Sequence, residues 1–137
     1  MQIPSADQFR PERDPGNPRL PVRWFAPIAD EGYDLHVPEG AEGEADAASV
    51  AFAGVVLSSL DAIMDEAVEH MRKYADAERL GIGRGRPDVH GVFCDARYER
   101  VEIGFSWEAQ MYILWTVAFR WDGAGRRSPV ELSVRPR

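Results

Sequence analysis

Between Arg23 and Arg72 the chain has no lysine or arginine, yet that stretch carries eleven carboxylates: Asp30, Glu31, Asp34, Glu39, Glu42, Glu44, Asp46, Asp61, Asp65, Glu66 and Glu69. A one-signed stretch of this length sets up a negative potential that repels nucleic acid and anionic lipid and attracts a basic partner. Lysine is nearly missing altogether. Only Lys73 stands among sixteen basic residues, a bias read as the codon usage of a GC-rich genome and not as phosphate recognition. Cys94 is the single cysteine, which excludes an intramolecular disulfide and a zinc site built from paired CxxC motifs, and suits a reducing compartment. No apolar run approaches the ~20 residues that span a bilayer. The opening MQIPSADQFRPERDPG lacks the basic and apolar regions of a secretory signal, so a soluble cytoplasmic protein is expected, with no membrane partner.

What is present is enough for a core. The chain has 137 residues, 45% of them apolar and four of them tryptophan. A chain of this length makes one domain and buries roughly two-thirds of the surface that it exposes when unfolded. Charge is divided unevenly along it: residues 1–78 hold sixteen acids against six bases, net −10, and residues 79–137 hold seven against ten, net +3. The two halves are therefore expected to neutralise each other in part. Seven prolines in residues 1–40 exclude a long helix there. That segment reads as a Pro-rich extended arm, with Val22–Phe25 and Tyr33–Val37 able to lie along the body as edge strands, and residues 41–137 read as a single α+β domain.

Within that domain, 38–46 reads as a solvated acidic loop and Ala48–Leu57, apolar and β-branched, as a buried strand with a bulge at Gly54. Leu60, Ile63, Met64, Ala67, Val68, Met71, Tyr74 and Ala75 then recur at helical spacing opposite Asp61, Asp65, Glu69, Lys73 and Asp76. They predict one helix over 59–78, started by Ser58 with Asp61 as a near capping box and stopped by Gly81. The period next changes to two. Val101, Ile103, Phe105 and Trp107, and then Met111, Ile113, Trp115, Val117, Phe119 and Trp121, predict antiparallel strands with one buried face. Further strands are expected at Val89–Asp95 and after the second turn, the last with Val130, Leu132 and Val134 as its inward residues, and turns are expected at Arg97–Arg100 and Asp122–Gly125. The expected fold is α+β: one long amphipathic helix packed on a four- to five-stranded, mostly antiparallel sheet, burying Ile63, Met64, Val68 and Met71 against Ile103, Ile113, Trp115 and Val117.

Few residues suggest chemistry. Gly81-Ile82-Gly83-Arg84-Gly85-Arg86 has the composition of a phosphate cradle, but it leaves a helix C-terminus, the negative end of the dipole, and is read as a connector. His90 and Cys94, four apart on a predicted strand, share a face. No third ligand or orienting group accompanies them, so Cys94 is read as a small buried apolar residue and His90 as a surface or core-edge histidine, and no catalytic residue, metal or cofactor is expected. His70 sits at i+4 from Glu66, the spacing of an ordinary helix-surface pair. Arg97, Arg100, Arg120, Arg126 and Arg127 with Trp107, Trp115 and Trp121 imitate a nucleic-acid surface, but those tryptophans are in phase with the core residues and the acidic chain disfavours a polyanion. Asp61, Asp65 and Glu69 repeat like charge at i+4 along the helix, a cost of a few tenths of a kcal/mol per pair that a partner could offset.

The function expected from these features is that of a small acidic binding or inhibitor protein, in the manner of an immunity protein that neutralises a basic bacterial toxin. Asp61, Asp65, Glu69, Glu42, Glu44 and Asp46 are the expected contacts. The alternative is a small α+β enzyme or ligand-binding domain with a pocket between helix and sheet, and a structural or adaptor subunit stands third.

Overall fold

The computed structural model describes residues 2–13, 15–17, 22–82, 85–122 and 125–136. Its centre is a seven-stranded mixed sheet whose spatial order follows the chain: β1 (Arg10–Glu12), β2 (Arg23–Pro27), β3 (Asp34–Pro38), β4 (Asp88–Asp95), β5 (Arg100–Ser106), β6 (Ile113–Trp121) and β7 (Arg127–Pro136). All neighbours run antiparallel except β3 and β4, which are parallel. Parallel neighbours need a crossover, and the segment between these two supplies it as three helices, α1 (Ala47–Ser58), α2 (Leu60–Arg72) and α3 (Ala77–Leu80).

This corrects the expected architecture twice. The sheet has seven strands, not four or five: the two apolar pieces of the Pro-rich segment expected as edge strands form β2 and β3 inside it, and Arg10–Glu12 adds β1 at its edge. Phe9, Ala26, Ile28, Leu35 and Val37 from that segment are buried in the common core. Prolines are tolerated there because strand ends and edges have amides to spare: Pro27 and Pro38 end β2 and β3, and Pro11 lies on the outermost strand.

The single long helix is also replaced by short ones. Ala48–Leu57, expected as a strand, is helical. Asp46 starts it, its side chain accepting from the Ser49 backbone N–H, and the buried residues Ser49, Ala53, Val56 and Leu57 recur at helical spacing. The exposed positions opposite them are Ala47, Ala48, Ala51, Val55 and, at the end of the helix, Ser58, so no polar stripe marks the outer face. Ser58 belongs to this helix and donates to the Val55 carbonyl, so the proposed cap at Ser58 does not form. At Ser59 the chain bends by 79° into α2. There the amphipathic reading holds: Leu60, Ile63, Met64, Ala67 and Met71 are buried, and Asp61, Asp65 and Glu69 are exposed. The helix ends at Arg72 and not near residue 78, and Gly81, at φ 71°, closes the separate α3.

Both long helices cover one face of the sheet, α1 over β3 and β4 and α2 over β6 and β7. Between the layers lie Val92, Val101, Ile103, Phe105, Val117 and Phe119, with Trp107, Trp115 and Trp121 at the margins. The period of two that the sequence shows after residue 100 thus places Val101, Ile103, Phe105, Val117 and Phe119 in the core, but not Met111, which precedes β6 and is 49% exposed, nor Val130 and Val134 of the edge strand β7, which are also exposed. No single helix among the described residues is long and apolar enough to cross a membrane.

Candidate functional site

Two opposite flanks of α2 do different work. At 100° per residue, Glu66 and His70 fall on one side of the buried stripe and Asp61, Asp65, Val68 and Arg72 on the other, with Glu69 outermost. On the first flank Glu66 makes a two-pronged ion pair with Arg127 of β7, at 2.6 and 2.9 Å. It is therefore not the partner of His70, whose ring instead meets Tyr74 edge-on at 5.2 Å between centroids. The second flank faces Gly85, Arg86 and Pro87, and a groove of about 510 Å3 runs between them.

That groove has three carboxylates on its helix wall, Asp61, Asp65 and Glu69, two arginines, Arg72 and Arg86, at its margins, and an apolar floor. Asp61 is ion-paired with Arg86, which relieves one end of the like-charge ladder. Among the described residues neither Asp65 nor Glu69 has an ion-pair partner, and both are exposed. Met64 and Val68 line the groove below them. Carboxylates above buried methylenes suit a lysine or arginine side chain, which lays its stem on apolar surface and keeps its charged end among acceptors.

The other expected contacts lie elsewhere. Asp46 is taken up as the α1 cap, accepting from Ser49 N at 3.0 Å and Ser49 Oγ at 2.6 Å. Glu42 and Glu44 are exposed on the turn before α1, a turn tied by the Gly40 N–H to the Glu44 carbonyl and by the bridge between Glu39 and Ala45. They sit at the N-terminus of α1 while Asp61 follows its C-terminus, and twelve helical residues separate the two by about 18 Å. Asp61, Asp65 and Glu69 thus form one patch and the loop acids another.

Cys94 and His90 do not meet. The β4–β5 register shifts between Val89 and Gly91, so a spacing of four no longer keeps the two residues on one face. Cys94 is fully buried, and burial pushes its thiol up to about 12. His90 Nε2 lies 2.6 Å from Ser106 Oγ on the face without helices. Ser106 is only 3% exposed, which removes its hydroxyl from reach of a substrate. No group of three His, Cys, Asp or Glu side chains among the described residues is arranged to hold a metal ion.

On that open face His36, His90, Phe93, Leu114 and Thr116 surround a trough of about 360 Å3 over the cross-strand glycines Gly91 and Gly104. His36 is turned by Glu12, whose carboxylate lies 3.6 Å from Nδ1, and burial lowers its pKa despite that carboxylate and Asp34. Of the glycine-rich segment, Gly83 and Arg84 lie outside the described residues, as do Gly123 and Ala124 of the turn expected at 122–125.

No family model, no curated protein and no solved structure matches the chain. Its own geometry therefore carries the functional reading. Sequence reasoning missed Arg86, taken as part of a connector, and the open-face trough. Gly91 inside β4 was the available signal for the trough, since strand glycines mark a bulge or a close approach.

Proposed function

We propose that the protein is a small cytoplasmic binding protein that captures a basic segment of a protein partner in the groove beside α2, as an immunity protein captures a toxin. One observation carries this reading: Asp65 and Glu69 stand unpaired among the described residues on a rigid helix, above the apolar floor of Met64 and Val68. A helix pre-orders its carboxylates, so binding costs little side-chain and loop entropy. The surrounding negative field speeds the encounter, which suits an antidote that must act before its target does. The loop acids Glu42 and Glu44 lie too far away to share the contact and serve as steering charges.

Affinity for the basic protein recovered by pull-down tests the reading, with wild type set against Asp65→Asn/Glu69→Gln. Asp61 is left in place because its pair with Arg86 builds the groove wall. The double variant should bind at least about tenfold more weakly and show a flatter salt dependence. Equal affinity and equal salt dependence would remove the groove from the interface.

The ligand-binding alternative draws on a different place from the one expected. The layer between helices and sheet is filled by Ile63, Met71, Ile103 and Val117, each fully buried, whereas the trough on the open face is accessible. If no basic protein is captured, that trough becomes the leading site.

A further inference from the structure

The two edges of the sheet are built differently. At one end β1 is three residues long with Pro11 at its centre, which shortens and blunts the edge. At the other, β7 runs for ten residues and pairs only with β6. Pro129 and the register shift opposite Ala118/Phe119 close its first part, and Pro136 closes its end. Residues 131–135 between them remain open; Val134 within this stretch is 55% exposed and Val130, just before it, 54%.

We infer that this open edge pairs with the β7 of a second copy, antiparallel about a two-fold axis at Ser133, to give one continuous sheet. A two-fold antiparallel pairing requires the numbers of facing residues to sum to a constant. Centred on Ser133, it sets Glu131 opposite the partner's Arg135 and Leu132 opposite the partner's Val134, twice each by symmetry. Opposite charges and paired aliphatic side chains are the combinations that stabilise facing strand positions. A centre at Glu131 would set glutamate against glutamate and Arg127 against arginine. A centre at Leu132 would face Glu131 with serine. A centre at Pro129 would set Arg127 against glutamate, but it would use the closed part of the strand and an arginine already held by Glu66. Only the Ser133 register matches both charge and apolar character. Glu131 and Arg135 are exposed, and Glu131 retains its 2.9 Å contact with Arg100 on the same face.

This edge lies on the Glu66 flank of α2, opposite the acidic groove, so the dimer and the partner site can be tested apart. Sedimentation equilibrium on the whole chain is the assay, with Glu131→Arg, Arg135→Glu and the two combined, and far-UV circular dichroism to show that each variant is folded. The wild type should dimerise, each single change should weaken the dimer at least tenfold by setting like charges opposite each other, and the combined swap should recover most of that loss. A monomer at every concentration up to the millimolar range would overturn the inference, as would a dimer that the single changes leave intact or a combined variant no better than the singles.

Discussion

Removing one hydroxyl, that of Ser49, tests how α1 is fixed to the sheet. Ser49 is fully buried, its Oγ donates to Asp46 Oδ2 at 2.6 Å, and it accepts from the Ala96 backbone N–H at 3.0 Å. The second bond joins residues 47 apart in sequence, the first turn of α1 to the β4–β5 turn. Ser49→Ala deletes both bonds and leaves the Ala96 N–H without its acceptor. An orphaned donor costs about 1–3 kcal/mol and the lost bond to a half-exposed carboxylate about 1 kcal/mol, while the better helix propensity of alanine returns about 0.5 kcal/mol. The net expected loss is about 2 kcal/mol, a fall in Tm of roughly 6–10 °C for a chain of this size. Asp46→Ala should cost about 1 kcal/mol, the usual value of an N-cap. The double variant should fall short of the sum by at least about 0.5 kcal/mol, because both single changes remove the same Ser49–Asp46 bond. Urea unfolding with an unchanged m-value gives these differences directly. A Ser49→Ala protein within about 0.5 kcal/mol of wild type, or strict additivity in the double variant, would refute the claim that this buried link holds α1 in place.

Two further outcomes follow from the titrating groups. Cys94, held as a thiol up to about pH 12, should react with a thiol reagent at pH 8 at least about a thousandfold more slowly in the native protein than in urea, so a native rate near that of a free thiol would show the site to be open. His36 has a pKa lowered first by burial, against the opposing pull of Glu12 and Asp34 and with Arg23 adding to the decrease. The unfolded chain therefore takes up its proton first as pH falls below about 6.5, and stability should be lost across that range. His36→Gln should flatten that part of the stability profile measured by urea unfolding; an unaltered slope would mean that the ring does not face this environment.

The legible parts of the fold were those with a one-sided pattern. In β5 and β6 the alternation of Val101, Ile103 and Phe105 and of Trp115, Val117 and Phe119 survives in the structure because one face is buried in the core under the helices and the other is not. Helix α2 was legible for the same reason, its charged residues lying opposite its apolar ones. In α1 the signal fails. Its buried side is marked by Ser49, Ala53 and Val56, but its outer side is alanine and valine up to Ser58 at its end, so the helical period has no polar stripe to define it and the β-branched content points to a strand. The number of strands was underestimated because Pro27 and Pro38 suggest broken structure, although each stands at the end of a strand where no further ladder bond is needed.

Charge was legible as a total and not as a surface. The excess of acid in the first half of the chain meets arginines from the second half, as Asp61 meets Arg86 and Glu66 meets Arg127, so composition overstates the field that a partner would feel. Asp46 is withdrawn further by its role as a cap. No spacing rule links Glu66 to Arg127 across 61 residues, because the register of β7 beneath α2 sets that contact. What survives this neutralisation is local: on the flank of α2 that faces Gly85, Arg86 and Pro87, Arg86 is taken by Asp61, and Asp65 and Glu69 have no ion-pair partner among the described residues. The proposed partner site is therefore narrower than the acidic stretch, and its position follows from which flank of one helix the later arginines reach.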